Sequence, residues 1–260
     1  LPHFHGRTTR FRRRQDEEMA LKGPDDTVQT ARRFYKAVTV EAVDGGFAVR
    51  LDGRSPKSPG GLPMVAPTQA LAALVAEEWE SQKEFILMAQ MPATRLAFTA
   101  IEKTAPSRAA LADEFARYAG SDALCYFADQ PSELIARQTA AWEPVLQWAE
   151  AEHNLAFERA AGVIHRPQPV TTLEQARALA LAMDDFSLIA LLSATSLFGS
   201  ALLALAVQRG RLTGEEAHHL ARVDEAFQEE RWGLDEEAAD RTANRLGEAR
   251  MLGAWFEALR

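Results

Sequence analysis

The sequence has one cysteine, Cys125, in 260 residues. A single thiol excludes an internal disulfide framework and any zinc site built from several cysteines, and it fits a reducing compartment. Lysine is scarce, with five lysines against 24 arginines. No secretory leader is visible. The first 15 residues contain no apolar stretch and carry Arg7, Arg10, Arg12, Arg13 and Arg14. The common catalytic signatures are missing too. There is no GxSxG elbow, no GxGxxG, no GxxxxGKS/T and no HExxH. No positive charge excess exists either. The net charge is -8 and the pI about 5.4, which argues against general nucleic-acid binding.

What is present is a large apolar fraction. Hydrophobic residues make up 47% of the chain, enough for a sizeable core and compatible with two domains. Phe186 to Val207 is a run of 22 residues without a charge, long enough to span a bilayer. Four serines, Thr195 and Gly199 dilute it, and Asp184, Asp185 and Arg209 frame it without an aromatic belt. It is read as two buried helices meeting near Thr195-Ser196, at the centre of a helical domain, with no membrane insertion.

Residues 1 to 30 read as a poorly ordered tail ending in the turn-rich Gly23-Pro24-Asp25-Asp26. Its RFRRR segment has two readings, a patch for an anionic partner (or a transit-peptide remnant) and a solvated arm. Alternation of period two then predicts a hairpin. Val38, Val40 and Ala42 form one strand, Phe47, Val49 and Leu51 the other, around Asp44-Gly45-Gly46. Leu62 to Val65 allows one further short strand. Thr68 caps a predicted helix over 69 to 83, and Met91-Pro92 is expected to return the chain to extended structure. The β-rich first domain, 31 to 103, ends there. Residues 104 to 260 read as a helical second domain, so the fold class is α+β. Ser107 and Ser132 are expected N-caps, and Pro144 should kink or break its helix. Leu134, Gln138 and Trp142 share one helical face. Thr172 with Gln175, and Thr213 with Glu216, read as capping boxes.

Candidate chemistry is sparse. The loop Asp52 to Gly61 imitates a phosphate loop, but its prolines remove donors and no helix follows directly. Glu215 and His219 could share a helix face, yet a metal site would need a third ligand. Cys125 sits between apolar neighbours as an inert thiol. No catalytic residue, metal or cofactor is assigned. Leu220 to Ala238 is the unusual stretch. It reads as one helix, a stop at Trp232-Gly233, and a new helix capped by Asp235. Seven acids crowd one tryptophan there: Asp224, Glu225, Glu229, Glu230, Asp235, Glu236 and Glu237. A solvated acidic face and a partner-docking surface are both consistent with it. Glu225 adjoins the stripe of Leu220, Val223 and Phe227, where an acid without a partner would be costly to desolvate.

Several stretches together carry a resemblance. They are ARRFYKAV at 31 to 38, VRLDGRSPKSP at 49 to 59, LAALVAEEW at 71 to 79 and MPATRLAFTAIEK at 91 to 103. LCYFADQPSELIARQTAAWEPVLQWA at 124 to 149, GSALLALAVQRGRLT at 199 to 213 and DEAFQEERWGLDEEA at 224 to 238 continue it. In this order they resemble the family of assembly chaperones for the α subunit of the F1-ATPase. Ser58 departs from the threonine expected there, and Leu234 stands where another acid is common. The resemblance implies a non-enzymatic, monomeric chaperone with no cofactor. It would bind the free α subunit and shield its interface until β joins. Its place would be the bacterial cytoplasm, or the mitochondrial matrix in a eukaryote. It further implies partner binding by Glu225, Gln228, Trp232, Gly233 and Asp235. The competing expectation is a soluble hydrolase or metal-dependent enzyme with an unrecognised site.

Overall fold

The computed structural model describes residues 31–162, 164, 166–233 and 236–260. The tail expected over 1 to 30 and the cap expected at Asp235 lie outside the described residues. The chain opens on an antiparallel hairpin, β1 (Val38–Val43) and β2 (Gly46–Leu51), in the register Val38 opposite Leu51 and Val43 opposite Gly46. The turn needs glycine. Gly46 has φ +146°, and a Cβ there would stand 2.2 Å from the Ala66 carbonyl oxygen. That carbonyl belongs to β3 (Val65–Ala66), which completes a three-stranded sheet in the order β1-β2-β3.

Helix α1 (Gln69–Ser81) covers one face of this sheet. Thr68 caps it by accepting from the Leu71 N–H, and Leu71, Val75 and Trp79 are buried. The next expectation fails. Pro92 opens a helix, α2 (Pro92–Thr99), instead of an extended segment. Proline has no N–H to lose at the first helical position, and its fixed φ suits that site. Glu78 then takes the capping role from a distance, because its carboxylate accepts from the N–H groups of Ala93 and Thr94, each at 2.7 Å. A π-helical turn, Ala100–Thr104, joins α2 to α3 (Ala105–Ala119), so the helical path passes through Lys103 and Ser107 lies inside α3.

A short two-stranded parallel pair follows, β4 (Tyr126–Phe127) with β5 (Ala160–Ala161). Between them runs α4 (Ser132–His153). Its N-cap is Pro131, not Ser132, and Pro144 sits within it without ending it. Pro144 lies on the exposed side, where water can satisfy the carbonyl left without a partner. Helix α5 (Val170–Leu181) starts before the expected capping box. The Thr172 hydroxyl instead donates to the Ala156 carbonyl, and Gln175 to that of His153.

The uncharged run forms α6 (Asp185–Phe198) and α7 (Ala201–Gln208). They meet at Gly199-Ser200, three to four residues past the expected junction. Gly199 takes φ +67° and the Ser200 side chain caps α7. Leu188, Leu191, Leu202 and Leu203 are fully buried. No helix among the described residues is long and apolar enough to cross a membrane. Asp122 pins the α7 start. Its carboxylate accepts from Leu202 N–H at 2.9 Å, the Ser200 hydroxyl at 2.8 Å and Leu124 N–H at 3.1 Å. Full burial nevertheless pushes its pKa up to about 6, because the charged form loses its hydration.

The chain ends with α8 (Gly214–Ala221), α9 (Val223–Trp232) and α10 (Glu236–Leu259). The Thr213–Glu216 capping box forms at α8 as expected. Helix α10 returns along α6 and reaches α1, where the Thr68 hydroxyl donates to the Ala258 carbonyl.

Candidate partner-binding site

The helix expected to run unbroken to Trp232 is divided at Arg222, whose backbone (φ -117°, ψ 23°) is not helical. A continuous helix would use the Leu220 carbonyl internally. Here it accepts the Trp142 indole N–H at 2.9 Å. The break therefore lets α8 end on α4 while α9 takes its own direction along it.

Contacts with α4 sort the acidic residues. Asp224 Oδ1 accepts from Gln138 Nε2 at 2.6 Å. Glu230 accepts both of its bonds from Arg137 at 2.8 Å, and Glu229 pairs with Arg222. Phe227 is buried on the inner face between two guanidinium groups, Arg231 at 4.0 Å and Arg137 at 5.1 Å from the ring centre. Glu133 on α4 accepts from both arginines. Single exposed ion pairs contribute only about 0–1 kcal/mol each. The buried Phe227 ring, worth roughly 1.5–3 kcal/mol, is the stronger fastening.

Three of the expected residues remain outward. Glu225, Gln228 and Trp232 stand at i, i+3 and i+7 on α9, so they share one face. All are exposed, Trp232 at 77%, and none has a hydrogen-bond or ion-pair partner among the described residues. Trp232 stands in solvent at the helix end. Glu225 bears no desolvation cost in the free chain, contrary to its expected place beside the apolar stripe. Gly233 ends α9 with φ +85°, its N–H bonded to the Glu229 carbonyl. The fifth expected residue, Asp235, lies outside the described residues.

Burial raises the Cys125 thiol pKa. The Glu215 carboxylate is held by Arg250 at 2.8 and 3.0 Å, with His219 only at 3.9 Å. Among the described residues no three His, Cys, Asp or Glu side chains group to hold a metal ion.

One feature was missed from sequence. Beside α9 lies a hollow of about 620 Å3 lined by Tyr126, Phe127, Asp129, Gln138, Gly162 and Asp224. The only signal for it was Gln138, a polar residue within an apolar helical stripe. It is buried because its Oε1 accepts from Ala128 N–H while its Nε2 reaches Asp224.

Comparison with known proteins bears on the chain as a whole. A family model described as ATP12 chaperone protein matches residues 32–150. The crystal structure of Atp12 from Paracoccus denitrificans superposes with a TM-score of 0.83 at 43% identity, covering 88% of this chain and 99% of that one. The chain belongs to the ATP12 chaperone family. A structure from Agrobacterium tumefaciens matches with a TM-score of 0.84 and 41% identity, over 95% of this chain and 96% of the other. The mitochondrial protein atp12 of Schizosaccharomyces pombe is 25% identical over 219 residues, 80% of this chain and 75% of its own length. ATP12 chaperones are assembly factors for ATP synthase, and this α+β chain is one of them.

Proposed function

We propose that this ATP12 chaperone binds the free α subunit of the F1 ATP synthase and covers its interface until the β subunit joins. It does so without catalysis, as a monomer, in the bacterial cytoplasm or, in a eukaryote, the mitochondrial matrix. The observation that carries the reading is the row of Glu225, Gln228 and Trp232, outward and without a partner among the described residues, on a helix whose inner face is fastened by Phe227 and Gln138. Such a helix presents its outer face in a fixed orientation. A large exposed tryptophan provides an aromatic anchor, and Glu225 beside it pairs with a cation or donor on the client. Gly233 turns the chain at the end of this surface, and Asp235 is its fifth proposed residue.

The physical task suits this surface. An unassembled subunit exposes an interface of the size normally buried in obligate contacts. A small, polar-rimmed cover binds more weakly than the true partner and so can be displaced by it. Co-expression of the chain with α alone, and with α and β together, tests the reading. A complex with α that disappears when β is added supports it. Absence of an α complex, or a stable complex retaining β, contradicts it.

A further inference from the structure

We infer that the hollow beside α9 receives a basic side chain, arginine above all, projecting from the protein that docks on α9. The inference rests on the docking reading above and specifies the chemistry of the docked surface.

The lining is acidic and aromatic, with no lysine or arginine among the described residues that form it. Asp129 is exposed and has no hydrogen-bond or ion-pair partner among the described residues. Asp224 uses one carboxylate oxygen on Gln138, and the other has no hydrogen-bond partner among the described residues. Tyr126 and Phe127 are half-buried and contribute aromatic surface. A cation lying against aromatic rings and between two carboxylates gains from the ring quadrupole and from charge-assisted hydrogen bonds at once. Arginine fits better than lysine, since its planar guanidinium can stack and fork to a carboxylate together.

The walls are also fixed before any ligand arrives. Gln138 spends its carbonyl on Ala128 N–H at 2.7 Å and its amide on Asp224 at 2.6 Å, so it ties both sides of the hollow to α4. Phe127 is held edge-on against Trp142, with centroids 5.6 Å apart. Preorganisation of this kind lowers the ordering cost of binding. The same combination already occurs within the chain. On the inner face of α9, Arg137 and Arg231 stack on Phe227 while bonding to Glu230 and Glu133. The described lining of the hollow offers the same pairing of carboxylates with aromatic rings. Its Asp224 immediately precedes Glu225, so hollow and outer face are carried on one helix.

Two measurements on the full chain test this. The first follows backbone amide shifts on titration with N-acetyl-arginine amide, using the uncharged citrulline analogue as the control. The arginine compound should shift Ala128, Asp129 and Gly162, the citrulline analogue should not, and Asp129→Asn should weaken the response. Equal shifts from both compounds, or none at these amides, overturn the inference. The second compares capture of purified F1 α subunit by Asp129→Lys and Glu225→Lys. Asp129→Lys should weaken capture about tenfold or more with an unchanged melting temperature. If Glu225→Lys weakens capture and Asp129→Lys does not, the hollow is excluded and the docking reading stands. If neither does, the docking reading fails and the hollow's assignment falls with it.

Discussion

Gln138 donates from Nε2 to Asp224 Oδ1 at 2.6 Å, and through this bond a buried side chain of α4 holds the first turn of α9. Because Gln138 also accepts from Ala128 N–H, one buried side chain satisfies groups on two separate elements. Gln138→Leu keeps about the volume but removes both hydrogen bonds. Ala128 and Asp224 are only half-buried, so the loss should be about 0.5–1.5 kcal/mol per bond. The urea midpoint should fall accordingly. A midpoint equal to wild type would mean that water replaces the amide and that the bond does not hold α9.

The two large aromatics of α9 should behave oppositely. Phe227 is buried and Trp232 is 77% exposed. Phe227→Ala removes the ring on which both arginines lie and should destabilise by about 3–5 kcal/mol. Trp232→Ala should change stability by no more than about 0.5 kcal/mol while weakening capture of the α subunit. Thermal unfolding and capture measured on both variants check the pair. A large stability loss from Trp232→Ala would move that residue from recognition to structure.

Local signals in the sequence were sufficient where the structure is local. The β1–β2 register, the Thr68 cap and the Thr213–Glu216 box all follow from residues within a turn or a hairpin of one another. Expectations failed where a distant partner decided. Pro92 begins a helix because Glu78 caps it, and Arg222 breaks one where Trp142 takes the Leu220 carbonyl. The candidate site divides the same way. Its residue types were visible as an acidic, aromatic junction. Which acids are structural and which outward depends on Gln138, Arg137 and Glu133, all on a helix about 90 residues earlier.

Asp122 gives a pH dependence whose sign is fixed. Its pKa is about 6 in the folded chain, against an ordinary value of 3.8 for an aspartate carboxyl. Between these values the folded state binds more protons than the unfolded one, so its contribution to stability falls as pH rises from about 4 to 6. Asp52, Glu102, Glu215 and Glu216 have lowered pKa values and act in the opposite sense, losing stability as pH falls. The Asp122→Asn variant isolates the effect. Subtracting its unfolding free energy from wild type across pH 4 to 7 should leave a curve that declines toward pH 6. A flat difference would show that the three hydrogen bonds to the carboxylate fully offset its burial, and a rising one that they outweigh it.

The most direct test of the account concerns Glu225. The equilibrium constant for capture of purified F1 α subunit should be measured for wild type, Glu225→Ala and Glu225→Lys, together with their melting temperatures. Glu225 is exposed and unpartnered among the described residues, so all three should unfold alike. Charge reversal should weaken capture about tenfold or more, and alanine less. Equal capture by all three would contradict the account.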